Sequence, residues 1–152
     1  MKIFIFAIDK LKDKDPESVL IRDYVKRTRW PIDIREFEDK KNLPDLLKKE
    51  AESTLLAHAV PPDTKIVLLD EKGEEPDSRA FAEMIKKYRD GGFNIAFLIG
   101  GANGHADFLK KQADKVISFG RMTMPHLLAR VVLAEQIYRA KTILGGHPYH
   151  KD

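Results

Sequence analysis

The last octapeptide, "GGHPYHKD" at residues 145–152, places two histidines, a proline and a tyrosine in consecutive positions. Imidazole and phenol groups move protons, orient reacting atoms and stack on nucleobases. His147 and His150 stand three apart, a spacing that shares a metal only on a helical turn, and Pro148 between them disfavours one. The chain has no cysteine and no carboxylate cluster beside the pair, so no metal is expected. Gly145 and Gly146 are expected to free the tail from what precedes it, and Pro148 to stiffen it.

Three other stretches carry chemistry. "LLDEKGEEPDS" (68–78) is acidic around one glycine, and its Asp70 can bond a ribose or cap a turn. "IGGANGHA" (99–106) lets backbone N–H groups approach a ligand closely. It is neither GxGxxG nor a Walker loop, and spacing alone favours a tight turn over a nucleotide site. "SFGRMTMPH" (118–126) offers backbone amides and His126 just where a proline opens a long apolar helix. On that helix Glu135 and Arg139 form an i, i+4 pair that as a surface ion pair would be worth little.

The elements that hold these groups follow from hydrophobic pattern. Apolar runs at 3–8, 32–37, 65–70, 94–101 and 115–120 predict five strands, mostly continuous runs that suit a sheet covered on both faces. Only "IDIREF" (32–37) alternates, which marks it as an edge. Helical spacing predicts helices over 15–28, 42–59, 77–92, 105–114 and 125–144. The first carries Val19, Tyr24 and Val25 on its stripe, the second Leu46, Leu47, Leu55 and Leu56. The last has an apolar surface wide enough for burial on more than one side. Strand and helix alternate five times, so the expected fold is a single α/β domain over 1–152, with a mainly parallel sheet of about five or six strands and helices on both faces.

Bulk charge is mild at +3, and residues 1–60 are balanced. From residue 115 onward Lys115, Arg121, Arg130, Arg139, Lys141 and Lys151 face only Glu135 and Asp152, a distribution that attracts phosphate. The apolar start "IFIFAI" is too short for a signal peptide or a membrane span, and the lack of cysteine suits a reducing compartment, so a cytoplasmic protein is expected.

"FLIGGANG", "SFGRMTMPHLLARVVLAEQIYRA" and the terminal "HPYHK" together resemble the ribosomal RNA large subunit methyltransferase H family, small SPOUT enzymes that methylate pseudouridine N3 in 23S rRNA. The likeness spans the chain and is specific mainly from residue 65 onward. It implies a C-terminal trefoil knot, S-adenosyl-L-methionine bound in the knot, a homodimer packed through the last helix, and 23S rRNA within the ribosome as substrate. Cofactor contacts are implied at Leu69, Gly100, Phe119, Gly120, Arg121, Met122, Thr123 and Met124. Catalytic roles are implied for His126, Arg130, Arg139, Tyr149 and His150, the tail helping to form the substrate site in the dimer.

The chain departs from the family at Phe119-Gly120, where Leu-Ser is usual, at His105, where an apolar residue is usual, and at Asp9, which replaces a glycine. Main-chain recognition survives the first change; side-chain roles at those two positions do not carry over. Two alternatives stay open: an inactive SPOUT protein that binds RNA or the ribosome, and a general nucleotide-binding α/β module.

Overall fold

The computed structural model describes residues Met1–Asp152. Five strands, β1 (Ile3–Ile8), β2 (Ile32–Phe37), β3 (Thr64–Glu74), β4 (Asn94–Ile99) and β5 (Lys115–Ile117), alternate with five helices. These are α1 (Pro16–Thr28), α2 (Asp45–Ala59), α3 (Ser78–Asp90), α4 (Asp107–Gln112) and α5 (His126–Leu144). The strands form one sheet in the order β2-β1-β4-β3-β5, and every pairing is parallel. All six residues of β1 are buried, as a continuous Ile/Phe/Ala run requires of a strand covered on both faces. The alternating segment is the edge strand β2, as its pattern predicts.

Successive residues of each strand feed opposite layers. Ile3, Ile5, Ile95 and Phe97 pack with Phe81 and Ile85 of α3 and with Leu133 and Ile137 of α5. Phe4, Phe6, Leu68 and Leu98 face Leu56 of α2 and Leu109 of α4. Leu56 is fully buried, and burying such a side chain contributes about 2–3 kcal/mol. On its outer side α5 receives α1 through Ile21, Val131 and Ala134, so it is buried on two sides as its wide apolar surface demands.

Several boundaries differ from the sequence pattern. α2 begins at Asp45 because Pro44, at φ −55° and ψ 153°, holds an extended conformation ahead of it. Its first turn finds no partner layer, and Leu46 and Leu47 are 65% and 53% exposed instead of lying on a buried stripe. Val19 of α1 is likewise exposed, and Ser18 and Ile21 take the buried positions. β5 is only three residues long, and β3 runs on through the acidic segment to Glu74. The β3–β5 register breaks between Leu69 and Glu74, after which Glu74 pairs with Ile117 and its carbonyl accepts the Ser118 N–H at 2.7 Å. Gly73 makes that return possible: a Cβ there would stand 2.7 Å from Ile117 backbone atoms. No helix is long and apolar enough to cross a membrane.

Candidate active site

The carboxyl ends of β3, β4 and β5 open into a cavity of about 500 Å³, the size range of small-ligand pockets and the place where parallel sheets bind ligands. Leu69, Ile99 and Ile117 form its apolar floor. One wall is the 100–104 turn, closed by the Gly104 N–H on the Gly101 carbonyl at 3.0 Å. The other is the loop from Ser118 to His126. Ser118, itself buried, organises that loop: its Oγ accepts the Gly120 N–H at 3.1 Å and donates to the Gly120 carbonyl at 2.7 Å. Gly120 sits at φ +130°, a conformation that glycine adopts without strain.

Beyond it, the N–H groups of Arg121, Met122, Thr123 and Met124 donate to no main-chain carbonyl. They are the free donors that recognition through the main chain requires. Of the expected cofactor contacts, Leu69, Gly100, Phe119, Gly120, Met122, Thr123 and Met124 line the cavity. Arg121 lies in the same loop with its side chain exposed, outside the cavity wall.

Asp70 also lines the cavity, where it caps the turn through the Lys72 N–H at 2.9 Å and faces Lys110 at 3.5 Å. Beside it His105 is 2% exposed, and neither ring nitrogen has a hydrogen-bond partner. Burial pushes its pKa below the ordinary histidine value, with the charge of Asp70 pulling the other way. The imidazole is therefore neutral, a buried donor and acceptor on the pocket wall.

His126 begins α5 and lines the cavity, with its Nε2 at 2.9 Å from Asp9 Oδ2. One turn later Arg130 is buried behind the wall, outside the cavity. Its two terminal nitrogens are engaged, Nη1 donating to Glu36 at 2.5 Å and Nη2 to the carbonyls of Ile8 and Asp9 at 2.6 and 2.5 Å, while Nε is buried without a partner. In this arrangement Arg130 ties the ends of β1 and β2 to α5. Glu52 of α2 is buried nearby, and its carboxyl is pushed up by burial first and then by Asp9.

Arg139, Tyr149 and His150 form a second cluster. Thirteen residues of helix separate Arg139 from His126, about 20 Å at the α-helical rise. The Gly145-Gly146 pair closes α5 and turns the chain: the Gly146 N–H reaches Ile143 O at 3.3 Å and the His147 N–H reaches Thr142 O at 2.9 Å, with Gly146 at φ +70°. That left-handed cap points the tail back along α5.

Tyr149 packs edge-on against Tyr138 at 4.6 Å between ring centres, and its hydroxyl donates to Glu135 at 3.0 Å. Burial and that bond push the Tyr149 pKa up to about 12. Arg139 holds the same carboxylate at 2.6 Å, in a pair whose side chains are only 24% and 17% exposed. It also stands 3.0 Å from His150 Nδ1. Arginine only donates, so Nδ1 accepts and Nε2–H donates to Asp152 at 2.8 Å. Asp152 is held down at about 2, chiefly by Arg79 at 2.5 Å and next by His150.

The structure therefore divides the expected residues between two clusters at opposite ends of α5. Asp9, Glu52, Ser118 and the orphaned nitrogens of His105 escaped the sequence reading. The departures at Asp9 and His105 were its available signals; Glu52, inside an ordinary helical stretch, offered none.

Comparison with known proteins matches residues 1–150 to a family model described as "Predicted SPOUT methyltransferase". A protein of Paramagnetospirillum magneticum named Ribosomal RNA large subunit methyltransferase H is 45% identical over 152 residues, covering 99% of each chain. A protein of the same name from Paracoccus denitrificans is 44% identical over 160 residues and all of both chains. That of Rhodospirillum centenum is 42% identical over 152 residues, again 99% of each.

Proposed function

The chain belongs to the SPOUT methyltransferase family, and we propose that it transfers a methyl group from S-adenosyl-L-methionine to N3 of a pseudouridine in 23S rRNA, acting as a homodimer. The observation that carries this reading is the pocket at the β3–β5 ends, floored by apolar side chains and rimmed by free N–H groups of residues 122–124. A nucleoside with a charged tail fits that chemistry: the floor takes an adenine ring, and main-chain groups bond its polar edge. Because recognition runs through the main chain, Phe119 and Gly120 in place of Leu-Ser leave it intact. The full-length relatives named as rRNA methyltransferases support the substrate.

Bound there, S-adenosylmethionine supplies an electrophilic methyl group on a sulfonium. The protein then has two tasks, to hold an imide nitrogen in line with that methyl and to take its proton. The tail suits the first task. Tyr149, with its pKa pushed up to about 12, stays a neutral donor and a stacking surface at working pH. Arg139 and the tautomer-fixed His150 stand ready to orient a base edge.

A tail about 20 Å from its own pocket reaches a pocket only across a dimer, and antiparallel packing of two α5 helices sets each tail beside the other subunit's His126. The trefoil threading of the C-terminal part belongs to the same reading. Lys26 and Arg29 at the end of α1 and Lys141 of α5 line a shallow cleft beside the tail, and none has a carboxylate within salt-bridge distance. They are free to meet the RNA backbone.

The test is calorimetry. S-adenosylmethionine should bind, with NAD and ATP silent at the same concentrations, and Gly120→Val should abolish binding by straining the loop. Preference for NAD or ATP would favour the general nucleotide module instead.

A further inference from the structure

Asp9 stands where the resembled family carries glycine, and the structure gives the substitution a role. It follows β1 at φ +74°, a conformation that costs a non-glycine residue energy, so the side chain must offer something in return or be a burden. Three contacts fix it: its N–H donates to Phe37 O at 2.9 Å, its carbonyl accepts from Arg130 at 2.5 Å, and its Oδ2 lies 2.9 Å from His126 Nε2. Arg130 is itself neutralised by Glu36, which leaves the Asp9 carboxylate to His126. Glu52, the other carboxyl facing Asp9 from α2, makes no contact with His126 and is biased toward its neutral form.

We propose that Asp9 and His126 form a dyad in which Asp9 is the positioning residue and His126 the base that removes the N3 proton, an inference that rests on the reaction proposed above. The contact has ion-pair distance without hydrogen-bond alignment, and a carboxylate 2.9 Å from Nε2 repels a lone pair there, which favours the tautomer with its proton on Nε2 and the lone pair on Nδ1. Nδ1 has no protein partner, and the side chain is 33% exposed on the cavity wall, so this nitrogen is open to a ligand.

In the step, the N3–H proton passes to Nδ1 while the nitrogen's electron pair forms the bond to the methyl carbon. The carbon–sulfur bond breaks with its pair left on sulfur, turning the sulfonium into a neutral thioether. Asp9 stabilises the imidazolium so formed, which later returns its proton to water. The preorganised guanidinium of Arg130 acts one step further back by fixing the Asp9 carbonyl.

Asp9→Gly and Asp9→Asn test the dyad. Glycine suits φ +74°, so D9G should fold at least as stably as the parent and bind S-adenosylmethionine with unchanged Kd. Nitrogen NMR of the ligand-free protein should show the Nε2–H tautomer of His126 in the parent and its loss in D9G, with D9N intermediate because its neutral amide repels the Nε2 lone pair less. Turnover should fall in D9G by less than the about 10²-fold that losing the base itself would cost, and less again in D9N.

Parental turnover in D9G would overturn the proposal, as would a fall matched by lost donor affinity or a lower melting temperature. If the parent transfers no methyl group at all, the proposed reaction fails. The tautomer measurement then decides the dyad alone: its change in D9G supports the pairing and an unchanged tautomer overturns it.

Discussion

Gly73 shows how a single residue can be visible in a sequence while its reason is not. It stands alone in an acidic stretch that resembles an exposed loop, yet the missing side chain admits the backbone of Ile117 from a strand more than forty positions away. Any Cβ must push two main chains apart, and neither can yield as a side chain would. Gly73→Ala should cost about 1–3 kcal/mol in urea unfolding, the range of overpacked sites, and should weaken donor binding because the same contact carries Ser118.

His105 has a different signature. Its folded pKa lies below its unfolded one, so the unfolded chain takes up a proton first as pH falls. Stability is therefore lost on acidification from about pH 6.5 downward, to the depressed folded value, and the residue adds no slope above that range. His105→Leu should flatten this part of the stability–pH curve without lowering stability at pH 7. An unchanged curve would show that the imidazole is not buried in the folded protein.

The elements themselves were largely readable. Five strands and five helices follow from periodicity because each buries a recurring face, and the one alternating strand is an edge. The departures share a cause: pattern records that a residue is apolar, not whether another layer arrives to cover it. Leu46 and Leu47 have the right spacing and no partner, whereas "DEKGE" has the wrong composition and becomes strand because Glu74 pairs with Ile117.

The tail was readable in composition but not in posture. Gly145 and Gly146 suggested a free hinge, and the structure makes them a left-handed helix cap that lays Tyr149 on Tyr138. The strength of the Glu135–Arg139 pair was equally hidden, since its burial comes from a tail folding back over it. Truncation after Gly146 takes Asp152 from Arg79 and Tyr149 from Glu135, which keeps Arg139, and removes no β-strand or core residue. The shortened chain should stay folded, bind S-adenosylmethionine and lose nearly all transfer activity.

The assembled site is what neither residues nor elements reveal singly. Sequence likeness implied cofactor contacts at Leu69, Gly100 and residues 119–124 and catalytic roles for Arg139, Tyr149 and His150, with the tail entering the site in a dimer, and one subunit keeps the two groups at opposite ends of α5. The proposed dimer would close that separation, and mixing tests it. A chain truncated after Gly146 has an intact pocket, and His126→Ala has an intact tail, so each should be inactive alone. Co-refolding should restore activity through mixed dimers; a mixture as inactive as its parts would place the tail's role within its own subunit.

The reaction is tested most directly by methyl transfer to ribosomes that lack the modification, with labelled S-adenosylmethionine as donor and digestion of the RNA to locate the label. Label is expected in 23S rRNA alone, at N3 of a pseudouridine, lost on tail truncation and reduced in D9G. Donor binding without transfer would identify an inactive RNA-binding member of the family, and label on any other nucleotide would contradict the assigned substrate.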